Sequence, residues 1–574
     1  MTRLNDSYDI GKAFAAIENE LIASMIRNMR RHKVEEVKED KQWSMWQAEQ
    51  LKSLEKYKKA NQKKYSKQFR DINTQIEGLI KAAKTEGSMS QEIAILEAIK
   101  RGFPARKAAA GATAEFFRLN ERKLEALIKA TTQDMQKAET AVLRMANDQY
   151  RKAIFNAQVY ANSGAGTYEQ AVDMATKDML SAGLNCVEYK NGARHTLADY
   201  AYMAVQTASK RAYLQGEGQK RQEWGISTVV MNKRGNPCPK CLPWVGKVLI
   251  DDVWSGGSRK DGKYPLMSKA IAAGLYHPRC KDSHTTYFEG ISTPPDGKFT
   301  RKELAEIEQN AKQEAKQQYT GRQAQRFERI ADYSLDKSNQ RVNKEKAEQY
   351  SDLSEKSLMQ NAQRFSEKVE ADAYHRPATV KAWKELKKEE KEALWKYTGS
   401  DYTRINAALR EETVSEQTKA VQGYISSMTS AIKKCRLEDD TWVRRGVSQR
   451  GLAGFLQTTT EELYSQDIRK RIINKECVEK GFMSAGASKD VGFSGINLEI
   501  CLPKGTQAIY AEPFSQYGGT NDNGTWDGIE QASYIGGEAE MIIQRNSKFK
   551  VKDLKTDADG RITDLILLLI EQMP

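Results

Sequence analysis

Apolar residues recur at helical spacing from Asp9 to about Asn156. Phe14, Ile17, Leu21 and Met25 step along one helix face. Leu124, Ile128, Thr131, Met135, Ala138, Val142 and Met145 alternate steps of four and three. That seam suits a partner helix, and packing inside one bundle is its simpler reading. Residues 157–220 continue as helices, with a break at Gly164–Gly166. Around Trp224–Asn232 a β-branched run, Ile226–Val230, predicts a strand. Gly and Pro then dominate to about Pro295. Thr300–Ala373 is rich in Gln, Lys and Glu, which predicts an exposed helical connector or a flexible linker. After His375-Arg376-Pro377, apolar strands alternate with Gly-rich turns, and Leu565–Ile570 reads as one buried strand. The expected fold class is multidomain: a largely α-helical N-terminal half with a small Cys/His knuckle, then an α+β domain. The boundaries expected are 1–156, 157–298, a charged helical connector at 299–373, and 374–574.

A length of 574 residues accommodates about three or four domains. With 29% charged and 8% aromatic residues, the chain has material for real cores. Lys and Arg number 91 against 77 Asp and Glu, a net charge of +14. That balance favours acidic partners such as nucleic acid or a negatively charged protein shell, or is simply a solvated surplus. One run stands out: Lys56, Lys58, Lys59, Lys63, Lys64, Lys67 and Arg70 contain no acid among them and interleave with Tyr57, Tyr65 and Phe69. It can follow nucleic-acid phosphates, or be one solvated helix face. Met1–Ile10 lacks a basic patch followed by an apolar core, so no signal peptide is expected. No apolar run of ~18 residues exists, so no membrane partner is expected. The seven cysteines are scattered except for one group, which argues for cytosolic synthesis rather than a disulfide framework. Cys186, Cys435, Cys477 and Cys501 read as ordinary buried positions.

The grouped cysteines spell Cys238-Pro-Lys-Cys241, then His277-Pro-Arg-Cys280, then His284. A CxxC turn chelates one ion when a second pair arrives from a distant loop. Cys238, Cys241 and Cys280 are the stronger ligands, and His277 or His284 completes the set around a structural zinc. Nearby, Gly257-Ser-Arg-Lys-Asp-Gly262-Lys263 nearly spells a phosphate-binding loop. Tyr264 stands where the magnesium-binding Ser or Thr belongs, so that reading is rejected. The ordered stretch from Asn191-Gly-Ala-Arg-His, through Ala204–Arg211, Trp224-Gly, Cys238-Pro-Lys-Cys241 and Gly246-Lys, to His277-Pro278-Arg279-Cys280-Lys-Asp282 resembles the phage minor capsid and head-morphogenesis families. With the helical N-terminal part, the resemblance covers about half the chain. It implies a head- or portal-associating region in 1–156, a protein present in few copies near the portal, and a role in head assembly or DNA packaging.

A second constellation lies in the last third. Thr441-Trp-Val-Arg444-Arg445-Gly446 is an apolar strand carrying arginines. Lys480-Gly-Phe482-Met-Ser484-Ala-Gly486 follows, and then Gly536-Gly-Glu538-Ala-Glu540-Met-Ile-Ile. Strand alternation would set Glu538 and Glu540 on one face, about 7 Å apart, ready to divide cation stabilisation from proton transfer. Order and spacing resemble the arginine-specific mono-ADP-ribosyltransferases of the exoenzyme toxin type, over about Ala373–Pro574. Tyr397–Arg410 resembles the family's helix ahead of the Arg strand. The resemblance implies NAD as substrate. Arg445 grips the diphosphate, preferred over Arg444 because it shares a strand face with Val443 and precedes Gly446. Ser484 orients Glu540, Glu540 stabilises the oxocarbenium-like transition state, and Glu538 serves the incoming guanidinium. Tyr402 and Asn406 line the NAD pocket and Phe514 covers the nicotinamide. One departure from the family is plain: its Ser-Thr-Ser triplet reads Ser484-Ala485-Gly486 here.

Together the resemblances imply a virion protein, in the capsid interior or near the portal, that contacts portal and capsid proteins, and phage DNA where the basic run meets it. Its transferase would modify an arginine on a host protein, in the host cytoplasm after synthesis or injection. The alternative is a structural head-assembly protein carrying an inactive transferase. A secreted toxin fits poorly with the missing signal peptide and the capsid-like front half.

Overall fold

The computed structural model describes residues 7–39, 43–104, 110–162, 167–189, 192–233, 237–278, 280, 282–410, 416–465, 467–488, 495–517 and 537–573. Asn191, Arg279, Lys281, Gly536 and the expected break at 164–166 lie outside them. The chain divides into two compact units, Met1–Ser351 and Asp352–Pro574.

The first unit is built on three long helices, α1 (Ser7–Glu39), α2 (Trp43–Lys100) and α3 (Ala110–Asn162), followed by α4 (Tyr168–Ala182). A small antiparallel pair, β1 (Val187–Glu188) and β2 (Arg194–His195), leads into α5 (Leu197–Glu223). Phe14, Leu21 and Met25 of α1, Met135 and Val142 of α3, Leu180 of α4 and Val205 of α5 share one core. The α3 seam is therefore satisfied inside the chain. Helix α3 runs through residue 156. Helices α2 and α5 approach backbone to backbone, because a methyl group at Gly216 would collide with the Lys84 carbonyl. Along α2, Leu54, Tyr57, Asn61, Tyr65 and Phe69 are buried. Lys52, Lys56, Lys59, Lys63, Lys67 and Arg70 form an exposed row opposite them. The aromatics of the basic run are core, not stacking platforms.

A three-stranded antiparallel sheet follows, from β3 (Thr228–Met231), β4 (Val248–Ile250) and β5 (His284–Thr286), with β3 central. Helix α6 (Met267–Ala272) packs Met267 and Ala270 onto it. The near-phosphate loop instead forms a short capped turn, where Ser258 accepts from Lys260 N–H. Two long helices, α7 (Arg301–Tyr333) and α8 (Lys337–Lys368), run through the expected connector. The turn between them is pinned: the Asp173 carboxylate accepts Leu335 N–H at 2.6 Å and the Asn339 amide at 2.9 Å.

The second unit begins with helices, which corrects the strand-rich expectation after Pro377. Helices α9 (Ala371–Glu385), α10 (Lys388–Lys396), α11 (Tyr402–Arg410) and α12 (Glu416–Lys433) precede any strand, and Pro377 sits inside α9. Eight strands then form one sheet: β6 (Thr441–Val447), β7 (Glu476–Glu479), β8 (Met483–Gly486), β9 (Ile496–Leu502), β10 (Ala508–Tyr510), β11 (Glu540–Ile543), β12 (Ser547–Thr556) and β13 (Ile562–Gln572). Their order is β10-β11-β8-β6-β9-β13-β12-β7. All neighbours are antiparallel except β13 with β9. Val443, Met541 and Leu567 belong to one core, while Ile542, Ile509 and Phe482 pack with α9–α12 in another. The run Leu565–Ile570 lies within β13, as its hydrophobicity predicts. The chain thus has a helical N-terminal half with a Cys/His cluster and an α+β C-terminal part. No helix among the described residues is long and apolar enough to cross a membrane.

Candidate functional site

Strands β11 and β8 pair so that Ile542 faces Ser484 and Glu540 faces Gly486. Glu540 is therefore one diagonal step from Ser484 on the same side, within side-chain reach. The Ser484 hydroxyl hydrogen-bonds the Glu540 carboxyl. Burial is the largest cause of the raised pKa of Glu540, and the neighbouring Glu538 and Glu512 charges raise it further. Ser484 and Arg445 pull the other way, and the result is pushed up to about 7. Burial also raises Glu538.

The two arginines of β6 alternate to opposite faces. Arg444 is committed to Glu499, its partner across β9, at 3.0 Å. Arg445 donates from Nη1 to the Ser484 carbonyl oxygen at 2.6 Å. It makes no ion pair among the described residues and is half-buried, an arrangement open to an anion. Behind Ser484 lies a residue that the sequence reading did not single out. Tyr397 is buried and donates to the Phe482 carbonyl at 3.0 Å. It also hydrogen-bonds Ser484, and burial raises its phenol to about 12.

Other expected residues serve the frame. Asn406 accepts Phe482 N–H at 2.9 Å and donates to Tyr397 at 3.1 Å, so its amide holds the start of β8 rather than a ligand. Gly481 lets the strand approach it, since a Cβ there would lie 2.7 Å from the Asn406 oxygen. Phe514 is fully buried and stacks on Trp383 at 4.4 Å, so it is a core residue and not a nicotinamide cover. Tyr402 is exposed beside Tyr397. The alternation expected across Glu538 and Glu540 also fails. Strand β11 starts at Glu540, and Ala539 has φ +45°, a left-handed conformation that interrupts the pleat. The two carboxylates still couple electrostatically.

The cysteine cluster lies in the first unit. Cys238 Sγ is 3.1 Å from His277 Nε2, and Cys241 Sγ is 3.6 Å from Cys280 Sγ. Cys238 and Cys241 share one tight turn, with Cys241 N–H donating to Cys238 O, and Cys280 N–H donates likewise to His277 O. His277 Nδ1 lies 2.8 Å from the Pro278 carbonyl, and Nε2 is the nitrogen that faces Cys238. His284 is not part of this group. Its Nδ1 meets Tyr276 at 2.6 Å and its Nε2 meets Arg221 at 3.1 Å. Arg221 is fully buried and is balanced by Asp251 at 3.0 Å. Burial and that cation hold the His284 ring neutral, well below the usual histidine range.

A family model for phage minor capsid protein 2 matches residues 7–356, more than half of the chain. A model for ADP-ribosyltransferase exoenzyme matches residues 372–570. The chain is 27% identical to an NAD(+)--arginine ADP-ribosyltransferase of Enterococcus faecalis over 168 residues, 29% of this chain and 29% of that protein. It thus spans under a third of that relative's length. It is 23% identical to mono-ADP-ribosyltransferase C3 of Clostridium botulinum D phage over 192 residues, 31% of this chain and 67% of that protein. Among solved structures, Plx2a, an ADP-ribosyltransferase toxin from Paenibacillus larvae, aligns with a TM-score of 0.28 at 21% identity. The alignment covers 36% of this chain and 96% of that one.

Proposed function

This chain belongs to the phage minor capsid protein 2 family, and on that footing we propose that it is a virion protein whose second unit transfers ADP-ribose from NAD to an arginine of a host protein. The observation that carries the reading is Glu540: a buried carboxyl hydrogen-bonded to Ser484, next to Glu538 and within the field of Arg445, which makes no ion pair among the described residues. In the reaction, the N-glycosidic bond of NAD breaks and its electron pair leaves with nicotinamide. The ribosyl carbon becomes cationic, and the Glu540 carboxylate holds a ribose hydroxyl and offsets that charge. A guanidinium nitrogen of the target attacks the same carbon, and its proton passes to the Glu538 carboxylate. Arg445 binds the diphosphate through its free N–H groups. Arginine as acceptor rests on Glu538 and on the activity named for the Enterococcus relative.

The first unit docks to portal or capsid proteins in the head. Cys238, Cys241 and His277 lie within 4.8 Å of one another, as do Cys241, Cys280 and Asp282, and a structural zinc drawing on Cys238, Cys241, Cys280 and His277 would stabilise this loop-rich segment. The lysine row on α2 offers a face to nucleic-acid phosphates.

The experiment is transfer of labelled ADP-ribose from NAD into a bacterial lysate, with wild-type full chain beside Glu540→Ala. A band labelled only by wild type supports the transferase and identifies its target. Absence of label and of nicotinamide release supports the alternative, a head-assembly protein with a silent transferase. Ala485 and Gly486, in place of Thr and Ser, are the residues that favour this second outcome.

A further inference from the structure

The reversal at Ala539 needs something to hold it, because an alanine in the left-handed region is strained by about 1–2 kcal/mol. Three hydrogen bonds do so. Ala487 N–H donates to the Ala539 carbonyl at 2.9 Å, and Ala511 N–H donates to the Glu540 carbonyl at 2.7 Å. Both are strand-like bonds between backbones, and any residue would make them. The third comes from a side chain: the Glu512 carboxylate, fully buried, accepts Ala539 N–H at 2.9 Å. A carboxylate on a backbone N–H is among the stronger hydrogen bonds a fold can make.

We propose that Glu512 is a positioning residue: by gripping Ala539 N–H it fixes the left-handed turn and so sets where Glu538 stands relative to Glu540. Glu540 is held independently, because β11 pairs on both sides, with β8 and β10. Glu538 precedes the strand, and among the described residues the turn is what aims it. Glu512 thus acts on the acceptor half of the reaction and leaves the NAD-cleaving half in place. The same side chain touches the chemistry electrostatically, since its charge, with that of Glu538, opposes ionisation of Glu540. This inference rests on the transferase reading for its consequence, and on the geometry alone for the grip.

The test compares full-length wild type, Glu512→Ala and Glu512→Gln. Three quantities are read: nicotinamide release, ADP-ribose transfer to agmatine as a small guanidinium acceptor, and amide hydrogen exchange in the peptide spanning 537–543. In Glu512→Ala, transfer should fall by about a hundredfold, as for a misplaced reacting group. Nicotinamide release, read on its alkaline plateau where Glu540 is ionised in both proteins, should stay within about threefold, and the Ala539 amide should exchange faster. In Glu512→Gln the amide oxygen still accepts the bond, so the ratio of transfer to release should return. The acid limb of nicotinamide release should move to lower pH, because one of the charges facing Glu540 is gone while Glu538, Arg445 and Ser484 remain. An unchanged ratio with unchanged exchange overturns the proposal. So does a parallel fall of both rates with a lower melting temperature, which marks a purely structural residue. If wild type releases no nicotinamide, the transferase reading fails. The grip then stands or falls on the exchange of Ala539 alone.

Discussion

The guanidinium of Arg445 donates to the carbonyl oxygen of Ser484 at 2.6 Å, joining the β6 arginine to the strand whose hydroxyl holds Glu540. Arg444, one residue earlier, is spent on Glu499. The two arginines therefore predict opposite phenotypes. Arg445→Lys keeps a charge but loses the fork, and should weaken NAD binding by about tenfold. Arg444→Lys should leave NAD binding within about twofold and lower stability by about 1 kcal/mol. Titration of NAD against intrinsic fluorescence, with thermal melts of both variants, checks the pair. Equal losses of affinity would show that the assignment within β6 is wrong.

Glu540 makes the second unit pH-dependent in a definite direction. Its folded-state pKa of about 7 lies above the ordinary glutamate value of 4.5, so the native state binds a proton that the unfolded chain has released. Stability linked to this group is fully present below about pH 4.5 and is lost as pH rises through about 7. Activity moves the other way, because catalysis needs the carboxylate: nicotinamide release should climb through about pH 7. Glu540→Gln should remove both the activity and this part of the stability slope. Denaturant midpoints near pH 5 and pH 8, followed in wild type and variant, decide it. Parallel slopes would mean that Glu540 titrates as an ordinary surface acid.

The pattern of apolar positions made the helices of the first unit legible, since Phe14, Leu21 and Met25 had to face something, and it found β13 from its run of leucines. The resemblance to the exoenzyme transferases placed Arg445, Ser484 and Glu540 on three strands. What the sequence reading missed depends on backbone and on neighbours distant in sequence. Ala539 carries no mark of a left-handed residue, which glycine or asparagine would have given. Glu512 sits beside a proline in what reads as a loop, and only the fold carries it to Ala539. Phe514 and Asn406 have residue types that suit a pocket, but Trp383 and the Phe482 backbone had already claimed them. His284 follows the Cys/His spacing as well as His277 does. The difference is Arg221, delivered by α5, whose guanidinium takes the His284 ring into a separate buried network.

That difference separates the two histidines experimentally. Metal analysis of the full chain should find about one zinc per molecule, the stoichiometry of a closed four-ligand site. His277→Ala should lower zinc retention against a chelator by at least about tenfold. His284→Ala should keep the metal, and should destabilise the first unit by about 1–3 kcal/mol by stripping Tyr276 and Arg221 of a buried partner. Zinc loss in the His284 variant, with retention in the His277 variant, would reverse the ligand assignment.

The exposed row on α2 makes the last prediction. Lys52, Lys56, Lys59, Lys63, Lys67 and Arg70 follow a step that averages one helical turn, so they line up along the helix axis. None of these lysines is ion-paired among the described residues, whereas Lys64 at the flank is held by Glu20. Six cations following one phosphate strand would give a log–log salt slope of about −5. Changing Lys56, Lys59, Lys63 and Lys67 to alanine should make the slope shallower by about 3 to 4 and leave the fold intact, because exposed substitutions shift stability by about 0.5 kcal/mol or less. Tyr57, Tyr65 and Phe69 are buried, so no stacking contribution should favour single strands over duplex. Filter binding to duplex DNA across a salt series reads the slope directly. A slope and affinity unmoved by the fourfold variant would identify the row as a solvated helix face.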